Sequence, residues 1–247
     1  MTNRSLGKYQ NEKAIMKEIK ASCNLKDCFL CTYCINDWLP AIGISRKNFQ
    51  IKKGHKIFTE GDPVTGIYFV YSGIVKVHKR WNADKELILR FAKKGNILGH
   101  LGLGNDPVYP VSTTAIEDTV ICYIDLPFFE STININPKFT YALLKFFANE
   151  LQESEKRANI LVNMPAKERI ALALLNLKKQ FGINPDGAIA IDLTRQDLAS
   201  CAAVSYETLF KVIQEFLQSE IIQLKGKSFM LIKEDFLTGM TIIPGVN

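Results

Sequence analysis

Three features of this 247-residue sequence predict an α+β fold. From Phe49 to Leu126, short apolar runs alternate with glycine-containing turns, which is typical of a small antiparallel β-roll. After Pro137, apolar residues recur with helical spacing up to a break at Pro165. Beyond that break, capped helical segments end in a hairpin pattern, which predicts a winged helix-turn-helix. The predicted parts are a Cys-rich segment, a roll, a long helix and a C-terminal domain, with the boundaries 1–40, 41–136, 137–164 and 165–247.

The composition indicates two domains and no membrane segment. Hydrophobic residues make up 47% of the chain, which is enough for two modest cores. The Lys-rich start has no apolar signal region, and no run of about 18 apolar residues occurs. We therefore expect a cytoplasmic protein, in which clustered cysteines are more often metal ligands or redox groups than disulfides. The net charge of +6 suggests a polyanionic partner, but residues 165–247 hold nine basic and nine acidic side chains, so charge locates no DNA-binding face.

Cysteines are concentrated near the N-terminus. Cys23, Cys28, Cys31 and Cys34 fall within twelve residues, and a lone Cys122 lies in the strand-like run TVICYIDL. The last three of the cluster form a C-x2-C-x2-C run, as in iron-sulfur proteins that take a fourth ligand from elsewhere. Four thiolates would also suit tetrahedral zinc, which would leave Cys122 as an ordinary buried thiol. The spacing leaves an iron-sulfur site, a zinc site and a bare thiol switch open.

The predicted long helix carries an apolar seam. Its positions are spaced in the a/d pattern of a coiled coil for more than two heptads. They are Leu144, Phe147, Leu151, Ser154, Ala158 and Leu161. Such a seam favours pairing with a second copy of the chain, although the same stripe could instead pack on the roll. Since Ser154 and Ala158 are small or polar, the pairing would be weak, as a switch requires.

The C-terminal part follows the order helix, tight turn, helix, wing. A helix over AKERIALALLNLKKQFG precedes a short predicted strand around 189–191. Thr194 then caps a helix that ends near Ala202, and Ser205 caps the next helix. The run IIQLKGKSFMLI predicts a hairpin that turns at Gly226.

The second helix of this motif would enter the major groove with its first residues nearest the bases. There, Glu207 could accept from cytosine N4 and Lys211 could donate to guanine. The alternative is an ion pair between these two residues on a solvated face, worth about 0.2 to 0.5 kcal/mol. The predicted DNA-binding residues are Thr194, Arg195, Ser205, Tyr206, Glu207, Phe210 and Lys211.

From about Cys23 to Met240 the chain resembles the CRP/FNR family of bacterial transcription regulators. KKGHKIFTEGD with YFVYSGIVKV is similar to the start of the family's sensory β-roll, a cupin-like, cyclic-nucleotide-binding-like fold, and LTRQDLAS with VSYETLFKV is similar to its helix-turn-helix. The resemblance implies a homodimer joined through the long helix, an inverted-repeat DNA site, RNA polymerase as a partner, and base contacts by Glu207 and Lys211. The chain departs from the family at Tyr206, where the cyclic AMP receptor protein has Arg, and at Ala203, where a turn Gly is usual.

The resemblance also bears on what the roll senses. The cyclic-AMP branch uses a Glu and an Arg-Ser pair to hold the ribose and the phosphate. Here GHLGLGNDPVYPVSTTA has His100 at the Glu position, with Tyr109 and Pro110 near the expected Arg and Ser. We therefore expect no cyclic nucleotide. The stretch is more similar to that of the oxygen-sensing fumarate and nitrate reduction (FNR) regulators, whose pocket is filled by protein.

FNR-type sensors hold a 4Fe-4S cluster with three N-terminal cysteines and one from the roll. The resemblance implies the ligands Cys28, Cys31, Cys34 and Cys122, with Cys23 as the alternative ligand, although the x4, x2, x2 spacing is not the usual one.

In the resulting hypothesis the cluster ties the N-terminal segment to the roll. The segment then packs on the long helix near Ile160 and Leu161 and favours the dimer, and oxygen or nitric oxide releases it. One alternative is a regulator of the same family that senses a small ligand or thiol oxidation. Another is a zinc-stapled interaction or redox protein. We expect no enzyme, because neither a Ser-His-Asp set nor a P-loop is present.

Overall fold

The protein is described by a computed structural model over residues 16–20, 26–81 and 85–242. The chain forms two compact units, Met1–Asp84 with Leu89–Ala148, and Lys85–Ile88 with Asn149–Asn247. Within the described ranges, no helix combines the length and the apolar character needed to cross a membrane.

The strands of the N-terminal part are short, as the glycine-punctuated pattern predicts. They are β1 (Lys17–Glu18), β2 (Lys47–Ile51), β3 (Lys56–Phe58), β4 (Gly66–Ser72), β5 (Val75–Arg80), β6 (Glu86–Ala92), β7 (Ile97–Leu98), β8 (Ser112–Ala115) and β9 (Thr119–Asp125). In the described part of the chain they form two sheets, ordered β1-β2-β9-β4-β7 and β3-β8-β5-β6. Strands pair antiparallel within these sheets, for example β4 with β9 and β5 with β8. The predicted roll is confirmed.

Two apolar clusters flank the first sheet, and the alternation of side chains along its strands divides them. On β4, Tyr68 and Val70 face the cluster between the two sheets, whereas Ile67 and Phe69 face the cluster on the helical side. Cys122 is paired with Phe69 across the β4–β9 ladder and shares its helical side. The strand register therefore determines which core receives Cys122.

Among the described residues, four α-helices belong wholly or partly to this unit. They are α1 (Phe29–Tyr33), α2 (Leu39–Ser45), α3 (Leu126–Ile135) and α4 (Pro137–Asn163). Helix α4 begins at Pro137, whose fixed φ and missing N–H suit a first turn, as predicted. It ends before Pro165, which instead caps the next helix.

The second unit contains the predicted helix-turn-helix and wing. Its elements after α4 are α5 (Ala166–Phe181), α6 (Arg195–Cys201), α7 (Tyr206–Gln218), β10 (Ile222–Lys225), β11 (Ser228–Leu231) and α8 (Glu234–Met240). Thr194 Oγ1 accepts from the Asp197 N–H at 3.0 Å, and Ser205 Oγ accepts from the Thr208 N–H at 3.1 Å. Both predicted caps are confirmed, because a cap is a short-range interaction visible in sequence.

The wing turns where expected, but the strand that was predicted before α6 does not form. Lys225 pairs with Ser228, and Gly226 has a φ of +60°, which suits a tight hairpin turn. At 189–191 the prediction of a strand is wrong: only an isolated bridge joins Ile183 to Ile189. The alternating Ile-Ala-Ile pattern there reflects burial in the core, since Ile189 and Ile191 are both buried.

Candidate functional site

The structure brings four of the predicted ligand cysteines into one apolar cluster. Cys31 and Cys34 are buried on and just after α1, and Cys122 is buried on β9. All three belong to the core on the helical side of the sheet, and Cys28 packs against that core. Cys23, the alternative ligand, lies outside the described residues.

The N-terminal cysteine segment, residues 26–38, has thiols that differ in pKa because their local hydrogen bonding and burial differ. Cys28 is the N-cap of α1, and its Sγ accepts from the Cys31 N–H at 3.4 Å. Hydrogen bonding from Cys31 lowers the pKa of Cys28 to about 7, against an opposing effect of burial. Burial raises the pKa of Cys34 to about 12, with a contribution from charge on Cys28. Cys28 therefore ionises more easily than Cys34.

Thiol donors in an apolar setting are the ligand type of iron-sulfur clusters. Over the ranges that the structure describes, however, no three His, Cys, Asp or Glu side chains are grouped so that they could hold a metal ion. The donor set fits a cluster in chemistry and shared burial. The structure establishes a common location for these thiols rather than a coordination geometry.

The cysteine segment is attached to the roll at the turn between β6 and β7. The Phe29 N–H donates to the Gly95 carbonyl at 3.0 Å, and Lys94 forms an exposed ion pair with Asp27 at 3.3 Å. Gly95 has a φ of +88°, and a Cβ placed there would lie 2.8 Å from the Asp27 carbonyl oxygen. Only glycine allows this approach without a shift of the segment.

The segment also packs on the first half of the long helix α4. The Phe29 ring lies with its centroid 5.8 Å from Phe139 and 5.4 Å from Phe146, both tilted or edge-on. The contact expected near Ile160 and Leu161 stays a prediction. Nothing in the sequence marks Phe29, because a contact across more than a hundred residues leaves no local pattern.

A buried asparagine joins the same segment to the junction of α3 and α4. Asn136 is fully buried; its Oδ1 accepts from the Ile35 N–H at 2.9 Å, and its Nδ2 donates to the Thr132 carbonyl at 3.0 Å. Beside it, Trp38 Nε1 donates to Thr132 Oγ1 at 3.0 Å, and its ring stacks on Phe128. The segment is thus held to the element that leads into α4.

Protein side chains fill the interior of the roll. Tyr109 is 2% exposed, stacks on Phe58 with ring centroids 4.0 Å apart, and donates from its hydroxyl to the Gly66 carbonyl at 2.7 Å. The cavity beside it measures about 10 Å³, roughly the space of one water molecule. His100 lines this cavity, and its ring lies 4.9 Å from Phe146 of α4. The filled interior is what the resemblance to FNR-type regulators implies for this stretch.

The seam predicted for dimerisation lies mainly on an open face of α4. Leu144 is 64% exposed and Leu151 is 63% exposed, and Ser154 and Ala158 are exposed as well. Phe147 is half-buried and lies 5.6 Å from His100, so part of its surface already packs on the roll. Leu161 is also half-buried.

The predicted DNA-binding residues of α7 share one exposed face. Leu209, Ile213 and Phe216 are buried on the opposite side of the helix. The exposed residues are Tyr206, Glu207, Phe210 and Lys211. Its own backbone N–H and the Ser205 hydroxyl lower the pKa of Glu207, which favours the ionised, hydrogen-bond-accepting carboxylate.

Arg195 is engaged with the wing. Its guanidinium carbon lies 3.9 Å from the centroid of the Phe229 ring, and Nη1 donates to the Lys227 carbonyl at 3.3 Å. Burial lowers its pKa. These contacts fix the wing relative to α6, a role that the sequence did not suggest. Thr194, beside it, serves as the cap of α6.

A second arginine, Arg169, was not anticipated from the sequence. Its guanidinium donates to three carbonyls: Met164 at 2.7 Å, Ala202 at 3.0 Å and Ala203 at 3.1 Å. One planar side chain therefore connects the segment that follows α4 to the turn between α6 and α7.

A roll with a filled interior, a long helix and a winged helix-turn-helix together define a DNA-binding transcription regulator. Residues 48–136 match the cyclic nucleotide-binding domain family, and residues 168–238 match the Crp-like helix-turn-helix domain family. The chain belongs to the CRP/FNR family of transcription regulators.

Its curated relatives include FNR-type regulators. The transcriptional activator protein anr of Pseudomonas aeruginosa is 26% identical over 215 residues, covering 84% of this chain and 88% of that protein. The fumarate and nitrate reduction regulatory protein of Vibrio cholerae is 26% identical over 236 residues, covering 90% and 93%. Among solved structures, FixK2 from Bradyrhizobium japonicum has a TM-score of 0.70 at 22% identity, covering 81% of this chain and 99% of that one, a likeness of fold.

Proposed function

We propose that this regulator senses oxygen or redox state through a 4Fe-4S cluster held by Cys28, Cys31, Cys34 and Cys122. It acts in the cytoplasm as a homodimer on an inverted-repeat DNA site, with RNA polymerase as a partner and without a cyclic nucleotide. The observation that carries the proposal is that Cys31, Cys34 and Cys122 are buried in one apolar core with Cys28 packed against it, although Cys122 is about ninety residues away in sequence. The names of its FNR-type relatives favour the same function.

The surroundings of the thiols suit this role. When bound, the cluster would supply a centre that oxygen can oxidise. Leu30, Ile97 and Phe129 line the same core and keep bulk water from the sulfurs. Cys28, whose pKa is lowered by hydrogen bonding from Cys31, is half-buried at the edge of this core.

The cysteine segment packs on the same helix, α4, that carries the predicted dimer seam. Phe29, next to Cys28, packs on Phe139 and Phe146 of α4. Leu144, on the same stretch of α4, is exposed and available to a partner helix. A segment held in place therefore stabilises one arrangement of the first half of α4, and its release removes that support. Dimer formation then controls DNA affinity, because two half-sites must be bound together.

The test is purification without oxygen, followed by iron and acid-labile sulfide counts. About four iron and four sulfide ions per chain would support a 4Fe-4S cluster. Cys122→Ser should abolish both the iron content and the oxygen sensitivity of DNA binding. Cys201→Ser is the matched control, since Cys201 lies on α6 and outside the cysteine core, and it should retain both. If the Cys122→Ser protein keeps its iron, Cys122 is not a ligand. If the wild-type protein contains one zinc ion per chain in place of iron, the proposal of an iron-sulfur cluster is wrong.

A second candidate is direct thiol oxidation, favoured by the close pairing of Cys28 and Cys31. In that case the protein would contain no iron, and DNA binding would change on treatment with peroxide and recover with dithiothreitol. Cys31→Ser would abolish the response, whereas Cys122→Ser would leave it intact.

A further inference from the structure

The recognition helix carries an exposed aromatic ring that the polar contacts of Glu207 and Lys211 leave unexplained. Phe210 is 54% exposed and lies beside these two residues on the exposed side of α7. Tyr206, one turn earlier, is 45% exposed. Positions four apart on a helix are neighbours, so the two rings form a continuous apolar strip along that face.

Packing within the domain does not account for Phe210. Helix α7 already buries Leu209, Ile213 and Phe216 on its other side. A phenyl ring left largely in water contributes little to folding, since the stabilisation comes from removing its surface from water. A partner that covers the ring would make the position favourable, and in a helix-turn-helix this face meets the major groove.

The charge of the domain points the same way. Residues 165–247 carry nine basic and nine acidic side chains, so there is no net positive charge to draw the domain to phosphates. Phosphate contacts carry no sequence information in any case, so contacts with base edges are the direct source of discrimination. The apolar feature of a base edge in the major groove is the 5-methyl group of thymine.

We propose that Phe210 determines specificity by packing on the 5-methyl group of a thymine in each half-site. Glu207 and Lys211 make polar contacts with neighbouring bases on one side of Phe210, and Tyr206 extends the apolar strip on the other side. The inference concerns DNA recognition alone and does not depend on what the cysteines bind.

Replacing thymine by deoxyuridine tests this, because it removes only the methyl group. The full-length protein first selects its sites from a randomised duplex library. Each thymine of the selected site is then replaced singly by deoxyuridine, and affinities are measured. Loss of one buried methyl should weaken wild-type binding about fourfold at one position of each half-site. For Phe210→Ala, thymine and deoxyuridine should bind equally at that position.

Three variants serve as comparisons. Phe210→Leu keeps an apolar contact and should retain part of the discrimination. Gln214→Ala, one turn further along the exposed side, should retain all of it. Lys211→Ala should weaken both duplexes by the same factor.

Two results would overturn the proposal: no thymine of the site is sensitive to loss of its methyl, or Phe210→Ala keeps the wild-type ratio. Because the readout is a ratio of two affinities for one preparation, the dimer population and the cluster content cancel. A preparation without iron, which would contradict the proposed sensing function, still gives this ratio.

Discussion

Arg169 donates to the carbonyl of Ala203, a residue that holds a left-handed φ of +52° in the turn of the helix-turn-helix. An L-residue with a Cβ pays about 1 to 2 kcal/mol in this conformation. The neighbouring Ala202, whose carbonyl also accepts from Arg169, has an ordinary φ of −85°. The arginine thus supports a strained turn at the point where the family usually has glycine.

Glycine at position 203 should relieve this strain. We expect Ala203→Gly to be more stable than Ala202→Gly by about 1 to 2 kcal/mol, since glycine relieves strain only where φ is positive. The two variants remove the same methyl group from adjacent buried residues. Urea unfolding followed by the circular dichroism of the helices gives the comparison, and equal stabilities would show that the turn is unstrained.

Lysine should not be able to replace the three hydrogen bonds that the Arg169 guanidinium donates. Arg169→Lys keeps the charge but cannot donate to three carbonyls in one plane, and we expect a loss of about 2 kcal/mol in the free energy of unfolding. Lys167→Met is the control on the same helix: it breaks an exposed ion pair with Glu215 and a cation–π contact with the Phe216 ring, and it should cost about 1 kcal/mol or less. If the Arg169→Lys protein is as stable as the wild type, the three guanidinium hydrogen bonds do not stabilise this turn.

Short-range interactions, such as helix caps, could be predicted from the sequence, whereas contacts between elements distant in sequence could not. Thr194 and Ser205 were found because a cap satisfies backbone groups within three residues. The placement of Cys122 beside the N-terminal cysteines came from resemblance, since no periodicity connects the two. The docking of Phe29 on α4 and the approach of Gly95 to Asp27 had no signal at all, because they depend on the tertiary arrangement of elements distant in sequence.

The close approach at Gly95 predicts that an added methyl group will loosen the cysteine segment. Gly95→Ala must displace Asp27 or the turn, and we expect Cys31 and Cys34 of the reduced, metal-free protein to react with maleimide about tenfold faster, the effect of about 1.4 kcal/mol of lost docking energy. Gly54→Ala is the control for backbone strain alone, since its φ is +83° but a Cβ there meets open space. Mass spectrometry of the labelled peptides measures the rates, and equal acceleration in both variants would contradict a specific role of Gly95.

Asn136 should stabilise the C-terminal part of the same segment, where it accepts a hydrogen bond from Ile35. Asn136→Ala leaves the N–H of Ile35 without its acceptor and removes the buried donor to the Thr132 carbonyl, which should cost about 1 to 3 kcal/mol in the unfolding of the first unit. Ser131→Ala, which removes an exposed hydroxyl bonded to the Pro127 carbonyl on the same helix, should change stability by less than about 0.5 kcal/mol. Because Asn136 lies directly before α4, we also expect its alanine variant to dimerise more weakly in sedimentation equilibrium. A destabilised variant with unchanged dimerisation would show that this junction holds the segment without transmitting its state to α4.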